Sequence, residues 1–577
     1  MIKKSSKMIL TSCLFLSLLS GCTSVAKGTK TYSYEFDYQN VNGGIEITGI
    51  QYNQKNKKLD ITIPNEILGK KVVSIAKGAL KNISAIHNVI MGENVKEIKE
   101  EAFSSCENLS SILYPATQEI FVGDRAFEKT ALKSLELTNK MKLGNEVYKD
   151  CQQIASISSQ ATQYGERIFA GCTSLNNLTL NFVGSDENTP KTISYLFDEI
   201  PSSLKNISIE NSKTLLKDTF ANLTKVEKIV LPSNRAITTL PSGLFKDCSS
   251  LTSIKIPFVG QETYFAENAL EEANYSLAYL FGVESNDKIP ESLKEVILYP
   301  TVSTSGVKYG MSSIRPVNFN NAKTIEKITM DSGLEMIEAN AFAGCVALNN
   351  ITLPSSLQRI GAHAFDDTKY YQDKATTKDT LITLGTWAIG IEMSGNNQKV
   401  EISNSLVNSL CDELFMNNAN IESVKFANVK KMGTNVFKNA TNLKTIDMNV
   451  VTTIPESTFE GCTSLTEVIL PRVSEIKAMA FKGATALTTI SLAKVTSIAQ
   501  SAFEGCSNLK TITISRYLKK VEKNAFKDTA LTTIELDGNN QTTIDALKAL
   551  LETTDFEQEG NETLKTLIQN LSLSPVA

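Results

Sequence analysis

Residues 502–514 read Ala-Phe-Glu-Gly-Cys-Ser-Asn-Leu-Lys-Thr-Ile-Thr-Ile, and this pattern returns along most of the chain. In most copies a small residue follows the aromatic residue by three positions, a leucine or its equivalent follows by six, and an alternating stretch typical of a β-strand comes next. Most spacings between the aromatic residues are 21 to 25 residues, and from Phe415 to Phe503 the spacing is a strict 22. The aromatic residues stand at positions 103, 127, 148, 169, 197, 220, 245, 342, 365, 415, 437, 459, 481, 503 and 526.

This repeat predicts an α/β solenoid, because no single copy can bury its own apolar face and each must stack on its neighbours. The alternating end of each copy is expected to form one strand of a parallel sheet on one side of the solenoid. The Ala-Phe-x-x-Cys segment is expected to form the opposite side, as a helix or a turn. At about 4.8 Å per stacked strand, roughly twenty coils give a rod or arc about 90 Å long.

The copies around Phe342 and Phe503 resemble the BspA-type leucine-rich repeats of bacterial surface proteins. The resemblance covers roughly residues 73 to 537, and the stretch before it, from Tyr32, is similar to the short β-rich lead-in of that family. It implies a surface-exposed binding protein, often an adhesin toward host or bacterial partners. Fold alone does not establish such a function.

The N-terminus predicts export and lipid anchoring. Three lysines precede an apolar stretch from Met8 to Leu19, which is too short to span a bilayer and has the proportions of a signal peptide. It ends in Leu19-Ser-Gly-Cys22, which resembles a bacterial lipobox, so Cys22 is expected to carry the acyl chains that anchor the protein outside the cytoplasm, exposed at the cell surface. An ordinary secretory signal followed by an unmodified cysteine is the alternative.

Breaks in the period predict the domain organisation. The coil at Asn181–Ser194 is overlong and polar, and helical spacing after Thr543 predicts one or two amphipathic helices that cap the last coil, a partner-binding helix being the alternative. The expected segments are a signal peptide (1–21), a tether (22–31), a β-rich N-terminal cap (32–72), leucine-rich repeats (73–257), an irregular repeat segment (258–318), further repeats (319–365), an insertion (366–412), further repeats (413–537) and a helical C-terminal cap (538–577).

The chemistry-bearing residues favour packing over catalysis. Seven cysteines stand three residues after the repeat aromatic, where other coils carry residues such as Ala440 or Thr529, so we expect packed free thiols in place of disulfides. No Cys-x-x-Cys pair suggests zinc, and only His87 and His363 occur, with no oriented nucleophile beside them. We therefore expect no enzyme activity, no cofactor and no metal.

Removal of the three signal lysines takes the formal charge from −4 to −7, and with no basic stripe a nucleic acid is not an expected partner.

The irregular segments supply the predicted ligand site. Outward strand positions are mostly Thr, Ser, Asn, Lys and Glu, a polar face without aromatic anchors. The aromatic residues gather in the insertion and in residues 258–318, and local core packing of those segments is the alternative to ligand contact. The expected ligand-binding residues are Tyr370, Tyr371, Trp387, Tyr264 and Phe265.

The predicted function is adhesion, or binding to a host, matrix or bacterial surface protein or glycan. Two alternatives stay open. One is a structural or spacing protein of the envelope without a specific ligand. The other is an enzyme with an unmarked site in residues 258 to 412.

Overall fold

The chain forms a parallel-strand solenoid of about 20 turns with few helices, which confirms the predicted fold class. The computed structural model describes residues 34–53, 58–115, 117–232, 237–262, 272–299, 311–394, 400–538 and 540–572. The apolar core runs through the interior from Ile45 to Ile568 as one continuous cluster.

One ladder consists of the strands that the alternating sequence predicts. In Ser134–Leu137 the two leucines are buried and the two polar side chains face outward, and the strand pairs in register with Ser156–Ser159 of the next coil. The ladder is interrupted in three places, after Leu113, Thr352 and Ile469. Its strands are Leu59–Thr62, Ile86–Ile90 and Ser111–Leu113; Ser134–Leu137, Ser156–Ser159, Asn177–Leu180, Asn206–Ile209, Lys228–Val230, Ser253–Ile256, Glu295–Leu298, Lys327–Thr329 and Asn350–Thr352; Val400–Ser403, Ile421–Lys425, Thr445–Asp447 and Glu467–Ile469; Thr489–Ser491, Thr511–Ile514 and Thr533–Leu536.

A second parallel ladder, of mostly two-residue strands, lies on another side of each coil. In Ser497–Ile498 the isoleucine is fully buried, and the pair bonds in register with Glu475–Ile476 and Lys520–Val521. Two residues are too few to show a periodicity, so the sequence did not reveal this ladder. Its strands are Gly44–Tyr52, Lys70–Ile75, Glu97–Ile98, Ile120–Val122 and Met141–Leu143; Ser313–Ile314, Met336–Ile337 and Arg359–Ile360; Trp387–Ile391, Ser409–Leu410 and Lys431–Met432; Thr453–Ile454, Glu475–Ile476, Ser497–Ile498 and Lys520–Val521.

The Ala-Phe-x-x-Cys side is a tight turn. In the coil of Phe503, the residues two before and two after the ring, Ser501 and Gly505, have left-handed backbones with φ of 57° and 74°. A left-handed residue on each side stops an α-helix from forming between the two ladders. The aromatic rings stack from coil to coil, and the rings of Phe481 and Phe503 lie 5.1 Å apart with 5° between their planes.

The in-phase cysteines form a hydrogen-bonded column inside the stack. All seven are buried and unpaired, as predicted. The thiol of Cys462 donates to the carbonyl oxygen of Phe437 at 3.0 Å, and that of Cys506 donates to Phe481 at 3.0 Å. Six of the seven thiols bond in this way to the aromatic residue of the preceding coil, and that of Cys106 donates to the Leu80 carbonyl at 3.1 Å. The column comprises Cys106, Cys151, Cys172, Cys248, Cys345, Cys462 and Cys506.

The segment 258–318 stays within the solenoid although its period is lost. Ser253–Ile256 pairs directly with Glu295–Leu298, so the additional residues are accommodated outside the strands. Phe281 takes the aromatic position, 5.6 Å from Phe245, and Phe319 continues the column toward Phe342 at 5.5 Å. Phe281 was not predicted because it lies 36 residues after Phe245, outside the usual spacing. Phe319 was not predicted although it lies 23 residues before Phe342, since Asn318 precedes it in place of the usual small or apolar residue.

A hairpin of Tyr34–Val41 and Gly44–Tyr52 begins the described chain and joins the short-strand ladder through Lys70–Ile75. The Glu46 carboxylate, 4% exposed, pairs with Lys99 at 2.5 Å and accepts hydrogen bonds from Gln39 and Ser74. Burial alone raises the pKa of Glu46, but these three partners outweigh burial and lower it. The hairpin is therefore fixed to the coil that contains Lys99.

Two helices cover the last coil. Asn561 accepts a hydrogen bond from the Phe526 N–H at 3.0 Å and donates one to the Glu522 carbonyl at 2.8 Å, in place of the next coil.

A short antiparallel pair, Gly184–Asp186 with Thr189–Pro190, occupies the overlong polar coil. The helices of the described chain are Ile193–Leu196, Glu272–Tyr275 and Asn286–Lys288 in 3-10 form, and Leu277–Phe281, Pro316–Phe319, Lys369–Lys374, Gln541–Leu550 and Glu562–Gln569 in α form.

Candidate binding cleft at the insertion

A short helix replaces the long strand in the coil that follows Phe365. Helix Lys369–Lys374 begins at Thr368, whose hydroxyl accepts the Tyr371 N–H at 3.2 Å. The Tyr370 N–H donates to the Leu348 carbonyl at 2.9 Å and ties the helix to the preceding coil. As a result, the nine-stranded part of the long ladder ends at Asn350–Thr352, and the ladder starts again only at Val400–Ser403.

A hairpin follows the helix and enters the short-strand ladder. Leu381–Leu384 pairs antiparallel with Trp387–Ile391, and the tight turn between them places Gly385 at a φ of 61°. Trp387–Ile391 then pairs in parallel with Ser409–Leu410 of the next coil. The hairpin therefore begins a new section of the short-strand ladder, and both ladders are interrupted at the insertion, the short one after Arg359–Ile360 and the long one after Asn350–Thr352.

The aromatic residues of the insertion form its local core. Tyr371 is 5% exposed, and its ring lies so close to Gly390 that a Cβ there would stand 2.2 Å from the Tyr371 hydroxyl. Trp387 is 6% exposed, and the half-buried Tyr370 donates its hydroxyl to the Thr383 carbonyl at 2.7 Å. The structure therefore places Tyr371 and Trp387 in the interior of the hairpin, as the packing alternative expects, and ligand contact at these residues stays a prediction.

The remaining predicted binding residues and the predicted lipidation site are not among the described residues. Tyr264 and Phe265 lie outside the described residues, as do Cys22 and the loop at 395–397. In the irregular segment, Tyr275 and Phe281 are buried, so the described aromatic residues there also contribute to a local core.

A cleft of about 600 Å³ opens beside the hairpin. One wall is the end of the interrupted long strand and the bend that follows it, and the hairpin turn and the next two coils form the other. Its volume falls within the range of about 300–1,000 Å³ that is usual for ligand sites. The cleft is lined by Ile351, Thr352, Leu353, Pro354, Ser355, Leu357, Leu384, Gly385, Thr386, Trp387, Asn408, Ser409, Lys430 and Lys431.

The cleft carries positive charge and no negative charge. None of its lining residues is Asp or Glu, and two are lysines. Lys431 is half-buried and donates its ammonium to the Leu357 carbonyl across the cleft. Lys430 is exposed, and within the described part of the chain it forms no salt bridge.

An ion pair between the partly exposed Arg359 and the buried Asp412 connects the coils on the two sides of the insertion. Arg359 contacts both oxygens of Asp412, with a closest approach of 2.7 Å, and also donates to the Thr434 hydroxyl at 3.1 Å. The Asp412 side chain is 9% exposed, and its hydrogen bond raises the pKa of Arg359. The Asp412 N–H also donates to the Ile360 carbonyl at 2.9 Å. These contacts tie the coil before the insertion to the coil after it.

Acidic residues gather at a second cavity of about 230 Å³ on the far side of the hairpin. His363 has a left-handed backbone, as in other coils, and its Nδ1 lies 2.7 Å from Asp366 Oδ2 at the exposed rim. Across the described ranges, no group of three or more His, Cys, Asp or Glu is arranged to hold a metal ion. Burial raises the pKa of the in-phase thiols, to about 12 for Cys345, which leaves them protonated at neutral pH.

The repeat matches a protein-family model described as a BspA type leucine rich repeat region (6 copies). The matched residues are 58–155, 143–276, 312–444 and 430–547. The chain belongs to this family. No curated protein matches the chain.

Solved structures of bacterial leucine-rich repeat proteins are similar to this BspA-type chain. One from Bacteroides ovatus is 21% identical, with 88% of this chain and 93% of that one covered and a TM-score of 0.24. A leucine rich cell surface protein from Faecalibacterium prausnitzii is 18% identical, with 90% and 97% covered and a TM-score of 0.23. The pneumococcal vaccine antigen PcpA is 17% identical, with 88% and 97% covered and a TM-score of 0.20.

The sequence of this BspA-type chain revealed the insertion but not the cleft. The loss of the period between Phe365 and Phe415 predicted an insertion at 366–412. Nothing in the local sequence connected Ile351 or Lys430 with that gap, because both lie in coils that match the repeat. The signal that was present is the loss of one alternating strand, which leaves the strand before it without a neighbour.

Proposed function

We propose that this protein is a lipid-anchored binding protein of the bacterial cell surface that attaches to a host, matrix or bacterial surface molecule. The observation that carries the proposal is the braced cleft of about 600 Å³ at the insertion. A uniform stack offers the same polar face at every coil, whereas this cleft combines apolar walls, hydroxyl groups and two ammonium groups in one concave place.

Membership of the BspA-type family supports a role in binding, because a repeat solenoid exposes a long surface on a stiff scaffold. The described part of the chain contains no helix of the length and apolar character needed to cross a bilayer. Membrane attachment in this proposal therefore depends on acylation of Cys22, which the lipobox-like Leu19-Ser-Gly-Cys22 favours.

Attachment is tested by coating beads with the purified protein and measuring their retention on arrays of matrix proteins and glycans. We expect saturable retention on a subset of the array, which soluble protein competes away. Beads that carry an unrelated protein serve as the control. If no surface retains the coated beads above that control, the spacer function is the better account.

Anchoring is tested with Cys22→Ala. We expect this variant to lose labelling by a fatty-acid analogue and to appear in the medium. Cys13→Ala is the matched control, since Cys13 lies within the predicted signal peptide and its loss leaves the acylated residue in place. A Cys22→Ala protein that stays labelled and bound to the membrane contradicts the lipobox assignment.

A further inference from the structure

We propose that the cleft at the insertion binds an acidic peptide segment in extended conformation, which pairs with the free backbone edge at Ile351 and is held by charge at Lys430. This inference rests on the proposed binding function and names the ligand class and the contacts at the site.

The interrupted ladder leaves a strand edge without a partner. The Asn350 N–H donates to the Glu326 carbonyl, and the Thr352 carbonyl accepts from the Met330 N–H, so both residues bond back to the preceding coil. In a parallel sheet, alternate residues direct their N–H and C=O groups to opposite sides, so those of Ile351 point toward the missing strand. Among the described residues, none hydrogen-bonds to the backbone of Ile351 on that side.

The side chain of Ile351 is also left uncovered by a neighbouring strand. The equivalent residues of the two preceding strands, Val296 and Ile328, are fully buried, whereas Ile351 and Leu353 are only partly buried. The helix that replaces the next strand engages the chain at Leu348 and leaves Ile351 open to the cleft. An added strand would cover this apolar surface and satisfy the free N–H and C=O, which is how β-strand addition binds peptides.

Charge selects the kind of peptide. The cleft lining contains two lysines and no carboxylate, although the whole chain has a formal charge of −4. Lys430 is exposed and forms no salt bridge within the described residues, so its ammonium is available to a ligand carboxylate. Lys431 is already held by the Leu357 carbonyl and contributes to the positive potential without changing its contact.

An anionic saccharide fits these observations less well. The hydroxyl groups of Thr352, Ser355 and Thr386 suit a sugar, but the only tryptophan of the chain is packed and presents no open ring face for a sugar to stack on. A saccharide also has no use for an unpaired strand edge. The backbone at Ile351 therefore favours a peptide.

The test uses the fluorescence of Trp387, which lines the cleft and is the single tryptophan of the protein. The purified full chain is titrated with an acetylated and amidated ten-residue peptide of alternating Glu and Thr. The same titration is made with its Lys and Thr counterpart and with polygalacturonate. We expect a saturable change in Trp387 emission with the Glu peptide alone. No change with that peptide overturns the proposal, and a response to polygalacturonate without one to the peptide replaces the peptide by a saccharide.

Variants locate the charge contact. Lys430→Glu is expected to weaken peptide binding roughly tenfold, because an attraction becomes a repulsion. Lys519→Glu is the matched control, since the Lys519 N–H bonds to Thr496 as the Lys430 N–H bonds to Asn408, at the same repeat position away from the insertion. Equal losses in the two variants place the peptide elsewhere and contradict the site.

A second pair of measurements isolates the backbone contact. Ile351→Pro removes the outward N–H and places a ring in the path of the peptide, while Ile351→Ala keeps the N–H. We expect binding to fall at least tenfold in the proline variant and no more than about threefold in the alanine variant. A Glu and Thr peptide that is N-methylated at alternate residues makes the same test on the unaltered protein, in case proline disturbs folding. Two such peptides are needed, one methylated at the odd residues and one at the even residues. If both bind as tightly as the unmethylated peptide, the peptide does not pair with the strand edge.

The two proposals fail separately. If the beads adhere but no peptide changes the emission of Trp387, adhesion is supported and the cleft is not a peptide site. If the peptide binds as expected but the beads adhere to nothing, the cleft is a peptide site and adhesion is contradicted.

Discussion

The regular coils from Phe415 to Phe526 and the coil that holds the insertion each cover the apolar surface of the coil before them. The regular coils do so with identical parts, so that Phe437, Phe459 and Phe481 stack at 5.3 and 5.0 Å. The insertion covers the preceding coil with a helix and a hairpin and leaves one strand edge exposed. The regular coils thus repeat the same ring contacts, although their long ladder is also interrupted, after Ile469. At the insertion the exposed strand edge lies beside a cleft, which a ligand can occupy.

The largest effect is expected inside the regular stack. Phe459→Ala removes a fully buried ring between two others and should reduce the free energy of unfolding by about 3–5 kcal/mol. Urea denaturation followed by circular dichroism measures it. Phe121→Ala is the control, because Phe121 is 41% exposed and its loss should cost far less. Equal costs at the two sites contradict the stacked column.

The brace across the insertion is expected to be the next most important. Arg359→Ala leaves the buried Asp412 carboxylate with its N–H contacts alone and should cost about 2 kcal/mol, since the arginine is partly exposed. A double-mutant cycle with Asp412→Asn, measured by urea denaturation, should give a coupling energy above about 0.5 kcal/mol. Additive losses in the cycle mean that the two side chains do not act together.

The regular coils and the insertion show how much of the structure could be predicted from the sequence. The aromatic and thiol columns were predictable, because each position repeats at a fixed spacing and burial follows from stacking. The second ladder was not, since a strand of two residues carries no period. The brace and the cleft were not predictable either. Arg359 meets Asp412, and Leu357 meets Lys431, only because the solenoid brings together coils that the insertion separates in sequence. For the aromatic residues of the insertion, both local packing and ligand contact stayed open, because local sequence does not distinguish a ring that fills a hairpin from one that faces solvent.

A smaller effect depends on pH and belongs to the regular stack. Burial raises the pKa of Cys462 from an ordinary 9.0 to about 12. Above pH 9 the unfolded chain loses this proton while the folded chain keeps it, so stability falls as pH rises toward 12. At pH 10 the loss is about 1.4 kcal/mol for this thiol.

Cys462→Ala should therefore reduce the difference in unfolding free energy between pH 7.5 and pH 10 by that amount. Alanine occupies the same position in the neighbouring coils at Ala440 and Ala484, so the variant is expected to fold. Thr463→Ala, at the exposed neighbouring position, is the control and should leave the pH dependence unchanged. An unaltered pH dependence in Cys462→Ala shows that the thiol is not shielded in the folded protein.

The smallest effect concerns the turn. Met479 holds a left-handed backbone with φ of 56°, at the position that Asn435 and Asn524 fill in other coils. Asparagine adopts this conformation at lower cost than methionine, so Met479→Asn should raise the free energy of unfolding by about 0.5–1 kcal/mol. The melting temperature of Met479→Ala, which removes the side chain without easing the backbone, provides the comparison. A melting temperature for Met479→Asn no higher than that of Met479→Ala refutes the argument.

The interrupted ladder also decides how the molecule carries mechanical load. If tension enters at the N-terminal hairpin and leaves through a partner seated at the insertion, the force passes along the coils between Tyr34 and Asp412. The coils from Phe415 to the C-terminal helices lie beyond that path and bear none of it. Within the loaded part, the long ladder is interrupted after Leu113, where the short ladder continues, whereas at the insertion both ladders are interrupted and the pair of Arg359 and Asp412 connects the coils. Under tension the solenoid would therefore part first at the insertion, with the coils on either side still folded.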